Sequence, residues 1–275
     1  LFQFPLDHLE RINPMQSLSI AATGMMAQQL NVEVISNNVA NMSTTGYKRQ
    51  KATFQDLMYQ DLRRVGSNSS DAGTIVPAGV QVGMGVRTAA VTRITAQGNL
   101  DITENKLDMA IQGRGYFRIQ LPSGADAFTR AGNFLTSPDG QLVTSDGYTV
   151  QPGITIPADA TDININAQGQ VEITLTGQTD PQVVGQLELA TFQNPAGLNP
   201  LGDNLFTESP ASGTPVTGTP ASDGFGSLLQ GYLETSNVNA VSEITNLITA
   251  QRAYEMNAKM ITATDEMLSV TSNLR

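Results

Sequence analysis

Cysteine and tryptophan are absent from the 275 residues, and the one histidine, His8, stands near the start. Without cysteine there is no disulfide and no thiolate metal site. With no histidine in the body of the chain, a Ser-His-Asp triad, a Cys-His pair and an imidazole zinc site are excluded. Basic charge is also short, 15 Lys and Arg against 25 Asp and Glu, for a net charge of −10. Phosphate binding needs clustered cations, and no cluster here exceeds pairs such as Lys48-Arg49 and Arg63-Arg64, so nucleic acid is not an expected partner. No apolar run approaches the ~20 residues that span a bilayer, so the chain is not expected to be membrane-embedded. Nor does a basic stretch, a short apolar core and a small-residue cleavage site open the sequence, so no general secretory signal is expected. Residues 1–14 differ in texture from the remainder of the chain and read as a cloning remnant or an upstream extension.

What is present points to an α+β fold. The hydrophobic fraction of 40% is enough for a core, and the polar remainder, rich in Gly, Ser, Thr, Asn and Gln, suits β-structure. From Met15 to about Met42, Leu18, Ala21, Met25, Val32, Ile35, Val39 and Met42 recur at three- and four-residue steps, with Gln28 filling a gap. That is a heptad seam. Ser43, Thr44, Thr45 and Gly46 supply the stop. At the other end, Ala240, Ile244, Leu247, Tyr254, Ala258, Ile261 and Leu268 form a second seam, with Gln251 and Asp265 in its gaps. Ser236 or Asn237 can cap its start.

The interior reads as strands separated by turns. Candidates are 116–121, 142–144, 148–151, 162–165, 171–175 and 184–192, with Asp139-Gly140 and Asp146-Gly147 as hairpin turns. Residues 65–85 read as extended or loop-like, and 209–226, dense in Pro, Gly, Ser and Thr, as an exposed loop or linker. The expected organisation is a terminal α-helical coiled-coil domain split between residues 15–46 and the helix within 227–275. It encloses an extended connection (47–95) and a β-rich domain (96–226).

Catalytic and ligand signals are weak. Gly113 and Gly115 lack the third glycine and the Lys-Ser or Lys-Thr of a phosphate loop, so a strand-entry turn is the better reading. Asp139 and Asp146 each precede Gly as turn residues do and miss calcium-loop spacing. No catalytic, cofactor-binding or metal-ligating residue is assigned. The terminal seams could pair only with each other inside one monomer. Two helices enclose a thin apolar strip, however, and helices draw most of their stability from tertiary packing, so seams that lock on assembly with copies of the chain fit better.

Asn37 to Gln50, NNVANMSTTGYKRQ, closely resembles the N-terminal signature of the bacterial flagellar rod and hook protein family. Ala250 to Leu268, AQRAYEMNAKMITATDEML, resembles its C-terminal signature, and Glu234 to Asn239, ETSNVN, the lead-in to the terminal helix. AIQGRGYFRI, FTRAGNFLTSPDGQLVTSDGYTVQP and VPAGVQVGMGVRTAAVTRITAQGNL are similar to the distal rod members, so the resemblance covers nearly all of Met15 to Arg275. It implies a non-enzymatic axial subunit, exported by the flagellar type III apparatus, that polymerises into a rigid tube crossing the periplasm, encloses the export channel and carries torque from motor to hook. Implied partners are further copies, proximal rod subunits, hook or hook-junction subunits, and the surrounding peptidoglycan and outer-membrane ring proteins. Subunit packing is expected at Leu18, Met25, Val32, Ile35, Val39, Ile244, Leu247, Tyr254, Ile261 and Leu268. The helix-to-domain junction is expected at Asn37, Asn38, Ala40, Asn41, Thr45, Gly46 and Tyr47, with Gly46 at positive φ, and 65–85 is expected to stiffen the tube. Competing readings are a hook or other rod-family subunit, an adhesin or tail-tube protein with similar terminal helices, and a carbohydrate-active enzyme with paired carboxylates.

Overall fold

The computed structural model describes residues 14–63, 78–177 and 180–273. A helix stands at each end of the described chain and strands fill the middle, an α+β arrangement. The segment 1–13, most of the expected stiffening segment (64–77) and Arg275 lie outside the described residues. Two compact units result: one takes the chain up to Asn37, Gln50–Thr92 and Val241 onward, the other Asn38–Arg49 and Arg93–Ala240.

The first unit holds helix α1 (Pro14–Ala40) and the strands β1 (Gln50–Asp56), β2 (Tyr59–Arg63), β3 (Val80–Gly83) and β4 (Val86–Arg93), together with helix α2 (Ala240–Asn273). β1 pairs with β4 and β2 with β3. Pro14 opens α1 where its missing N–H costs nothing. Gln16 donates to the Gln60 side chain at 3.2 Å and to the Met84 sulfur at 3.2 Å. Thr23 donates its hydroxyl proton to the Ile20 carbonyl at 2.8 Å and accepts from the Val86 N–H at 3.3 Å, which seats α1 on the start of β4. The two helices approach each other at Gly24, where a Cβ would lie 2.9 Å from the Asn257 amide nitrogen.

In the second unit the strands are β5 (Leu100–Ile102), β6 (Met109–Gln112), β7 (Tyr116–Gln120), β8 (Asp126–Thr129), β9 (Leu135–Thr136), β10 (Leu142–Val143), β11 (Thr149–Val150), β12 (Ala160–Ile165) and β13 (Gln170–Leu175). They are followed by β14 (Gln182–Gln186), β15 (Leu189–Thr191), β16 (Asn199–Gly202), β17 (Leu205–Thr207), β18 (Val216–Gly218), β19 (Ser227–Gln230) and β20 (Tyr232–Glu234). The main sheet runs β16-β17-β8-β7-β11-β10-β9. One edge of β7 is shared, its first half pairing with β15 and its second with β11. Period-two alternation on β7 sends Phe117 and Ile119 into the larger apolar core with Phe134, Leu142, Leu187 and Leu189. Tyr116 goes to a second cluster with Phe128, Phe192, Leu198 and Phe206, whose rings meet edge to face, as at the 4.8 Å between Phe128 and Phe192.

The two Asp-Gly turns close the β9-β10 and β10-β11 hairpins, with Gly140 at φ +79 and Gly147 at φ +84. Two expectations need correction. The candidate strand 184–192 is broken at Leu187-Glu188 into β14 and β15, which belong to different sheets. Residues 209–226 are not simply an exposed linker. Ser212 is buried and bonded to Ser209, β18 pairs with β15, and Phe225 packs on the main core. Residues 227–234, expected as a return segment, supply β19 and β20, which pair with β6 and β5.

Candidate functional site

The helix stop at 41–46 folds into a junction within the second unit. Asn41 accepts the Thr44 hydroxyl at 3.1 Å in a local turn, and Thr45 is half-buried beside it. Gly46 has φ +70, and its N–H reaches the Glu234 carbonyl at 2.7 Å. A Cβ there would sit 2.8 Å from the Ala131 backbone nitrogen, so glycine is required both by the left-handed backbone and by the close approach. Tyr47 donates its hydroxyl to the buried Asn38 side chain at 3.2 Å, while its carbonyl accepts from the Asn237 N–H at 3.4 Å. One tyrosine therefore ties the end of α1 to the segment that leads into α2. Asn37 and Ala40 are exposed.

Asn237 does not cap α2, which starts three residues later at Ala240. Its side-chain oxygen accepts the Arg49 N–H at 2.7 Å, and its amide donates to the Ile94 and Ala96 carbonyls at 2.9 Å each. Ser236 accepts from the nearby Val238 N–H, before the helix begins. The polar side chains before α2 serve the junction because the chain there crosses other backbone whose donors and acceptors need partners.

Beneath the junction is a buried ion triad. The Glu234 side chain is fully enclosed; one oxygen accepts from Lys48 Nζ at 2.5 Å and the Gly98 N–H at 3.0 Å, the other from Arg130 Nε at 2.8 Å. Arg130 spends its remaining donors on carbonyls, at 2.6 Å to Gly115, 2.9 Å to Gly113 and 3.4 Å to Ile111. Lys48 also donates to the Ala96 carbonyl at 2.9 Å. Burial pulls the Lys48 ammonium below its ordinary 10.5, against the opposing pull of Glu234. Buried charges persist only when paired and fully hydrogen-bonded, and this arrangement meets that condition. The Gly113-Arg114-Gly115 stretch is the turn between β6 and β7, and its positive φ values, +110 and +141, accompany carbonyls that bond Arg130.

A cleft of about 400 Å³ beside the triad is lined by Gln97, Arg114, Tyr116 and Gln193 among others, with no carboxylate on its wall. A shallower one contains Asp162 and Glu172. Asp162 is held below its ordinary 3.8 by a 2.6 Å hydrogen bond from Lys106, the opposite of what a glycosidase general acid needs. Among the described residues no group of three potential metal ligands occurs, and no helix is long and apolar enough to cross a membrane.

On α2 the buried row keeps part of the sequence seam and shifts by one residue at the positions between. In α2, Glu243, Leu247, Ala250, Asn257, Ile261, Thr264 and Leu268 are buried or half-buried. Leu247, Ile261 and Leu268 belong to both rows, whereas Ile244 is 49% and Tyr254 43% exposed. In α1 Ile35 and Ala21 of the seam are buried and Leu18, Met25, Val32 and Val39 half-buried, with Ala27, Val34 and Asn38 buried beside them. At Gly24 the Asn257 side chain comes within 2.9 Å of where a Cβ would stand.

Three family profiles match this chain: "Flagella basal body rod protein" over residues 18–48, "Flagellar hook protein FlgE/F/G D1 domain" over 110–173, and "Flagellar basal body rod FlgEFG protein C-terminal" over 229–274. The flagellar basal-body rod protein FlgG of Caulobacter vibrioides is 62% identical across 95% of this chain and 100% of its own length. The chain belongs to the FlgG family of flagellar basal-body rod proteins. Its FlgG relative in Agrobacterium fabrum is 55% identical, over 94% of this chain and 98% of that one. The FlgG of Bacillus subtilis is 38% identical, over 95% and 99%. Each family segment contributes one member of the triad: Lys48 ends the first, Arg130 lies in the second and Glu234 in the third.

Proposed function

We propose that this chain is a non-enzymatic structural subunit of the flagellar distal rod, polymerising into a rigid helical tube that carries torque from motor to hook and encloses the export channel. The observation that carries the reading is full-length similarity to FlgG proteins. Repeated heterologous contacts that fail to close into a ring build such a tube, and many parallel interfaces give it stiffness.

The terminal helices make these contacts in coiled-coil fashion. Leu18, Met25, Val32 and Val39 on α1 and Leu247, Ile261 and Leu268 on α2 are half-buried, and Ile244 and Tyr254 are exposed, so all keep surface to offer a neighbour, while Ile35 is buried. The junction formed by Asn38, Asn41, Thr45, Gly46 and Tyr47, flanked by Asn37 and Ala40, fixes where the helices leave the β-rich unit. Export runs through the flagellar type III apparatus, and the partners are proximal rod subunits, hook or hook-junction subunits, and the ring proteins around the rod. The test is electron microscopy of basal bodies from cells lacking this chain. They should end before the distal rod, and intact rods with normal hooks would refute the assignment.

A further inference from the structure

The chain carries a net charge of −10, yet the cleft beside the buried triad is cationic. Every residue that lines it belongs to the β-rich unit, and none is Asp or Glu. Lys48 and Arg130 are its buried members, and their common partner Glu234 cancels one of those two charges. Arg114 adds another from the turn between β6 and β7. It is exposed, and among the described residues its guanidinium has no ion pair or hydrogen bond. A further cation, Arg93, stacks over Phe206 at 4.5 Å, in the aromatic cluster that also holds Tyr116 and Phe192 of the cleft wall.

Donors on this wall are left unspent. Lys48 is 3% exposed, and of its three protons the Glu234 oxygen and the Ala96 carbonyl take two, so the third has no acceptor among the described residues. A buried donor without an acceptor is costly, and a ligand oxygen in the cleft would supply one. Arg114 offers a whole guanidinium fork, which fits a carboxylate through two parallel bonds. Gln193, exposed and without a side-chain partner among the described residues, adds a neutral amide. Arg130 contributes charge alone, because Glu234 and three backbone carbonyls already hold its donors. The volume of about 400 Å³ is that of a small organic ligand. A bare inorganic anion would leave the aromatic carbon of Tyr116 and Phe192 wet, and an organic acid would cover it.

We infer that this cleft is a binding site for a carboxylate, of a small free acid or of an acidic side chain in a peptide. Arg114 and the remaining Lys48 proton hold the carboxylate, and the body of the ligand lies against Tyr116 and Phe192. The site uses no residue of α1 or α2, so it is separate from the contacts proposed to build the rod.

The test is isothermal titration calorimetry on the purified full-length chain at fixed ionic strength. Citrate serves as the free acid, the blocked peptide acetyl-Glu-Leu-Glu-amide as the side-chain source, and sulfate as the bare anion. At least one carboxylate probe should saturate at millimolar concentration or below, and the tighter of the two names the source. Arg114→Glu, and Gln193→Glu on the other wall, are changes at exposed positions. Each should weaken that probe by about tenfold or more while circular dichroism and unfolding temperature stay as in the wild type. Arg114→Lys, which keeps the charge and loses the fork, should fall between. Failure of both carboxylates to saturate, undiminished binding by Arg114→Glu, or sulfate binding as tightly as the better probe would overturn the inference, and none of these outcomes touches the rod assignment.

Discussion

Glu234 is the residue on which most of the junction converges. Its two oxygens hold Lys48 and Arg130, and its backbone carbonyl accepts from Gly46. Removing one partner of a buried ion pair leaves uncompensated charge and costs about 3 to 5 kcal/mol. Glu234→Gln should therefore lower the stability of the β-rich unit by that order in urea unfolding, and a loss under about 1 kcal/mol would mean the triad is no stronger than a surface pair. A second residue-scale consequence concerns Tyr116, whose phenol burial pushes above its ordinary 10.0, with Arg130 and Arg93 pulling the other way. A raised folded value means the protonated ring stabilises the fold fully below pH 10 and less as pH climbs through the folded value. The last part of the tyrosinate absorbance should accordingly appear above pH 10 together with a falling unfolding temperature, and Tyr116→Phe should remove that late fraction.

At the scale of elements, α1 and α2 are long for isolated stability but are not amphipathic in the simple sense. α2 has 34 residues, about 51 Å of helix, with apolar residues on more than one side. A helix of that kind is made to be enclosed by neighbours on several faces. The inward row leaves no room at Ala250, which is 2% exposed. Ala250→Leu should overpack the first unit and cost about 1 to 3 kcal/mol, whereas Ile244→Ala, at a surface position, should stay within about 0.5 kcal/mol. Thermal unfolding of the two variants followed by circular dichroism separates the rows, and equal effects would show that α2 has no preferred inward side. The β-hairpins obey simpler rules, since the Asp-Gly pairs at 139–140 and 146–147 each set a turn whose glycine holds positive φ.

For the whole molecule, the division into two units has a direct consequence. The main apolar core, from Met109 to Leu228, includes no residue of α2. Deleting residues 238–275 should leave a soluble β-rich chain with its near-ultraviolet aromatic signal intact, yet unable to build rods. Rods assembled from that truncated chain would contradict polymerisation through the terminal helix. The sequence segments that make the helices are not those that fill the main core.

The sequence by itself determined the helices, the β-rich middle, the two Asp-Gly hairpins and the left-handed glycine at 46, because each depends on local backbone preference or short periodicity. It also carried the family signatures, which are local strings. It could not set the phase of the α2 seam, where Glu243, Ala250 and Thr264 are buried while Ile244 and Tyr254 are exposed. Nor could it pair Lys48, Arg130 and Glu234, each of which stood inside a different recognised motif. Nothing in a linear string says that three charges so far apart along it will be buried together, and only the fold, by removing water from all three at once, makes them depend on one another.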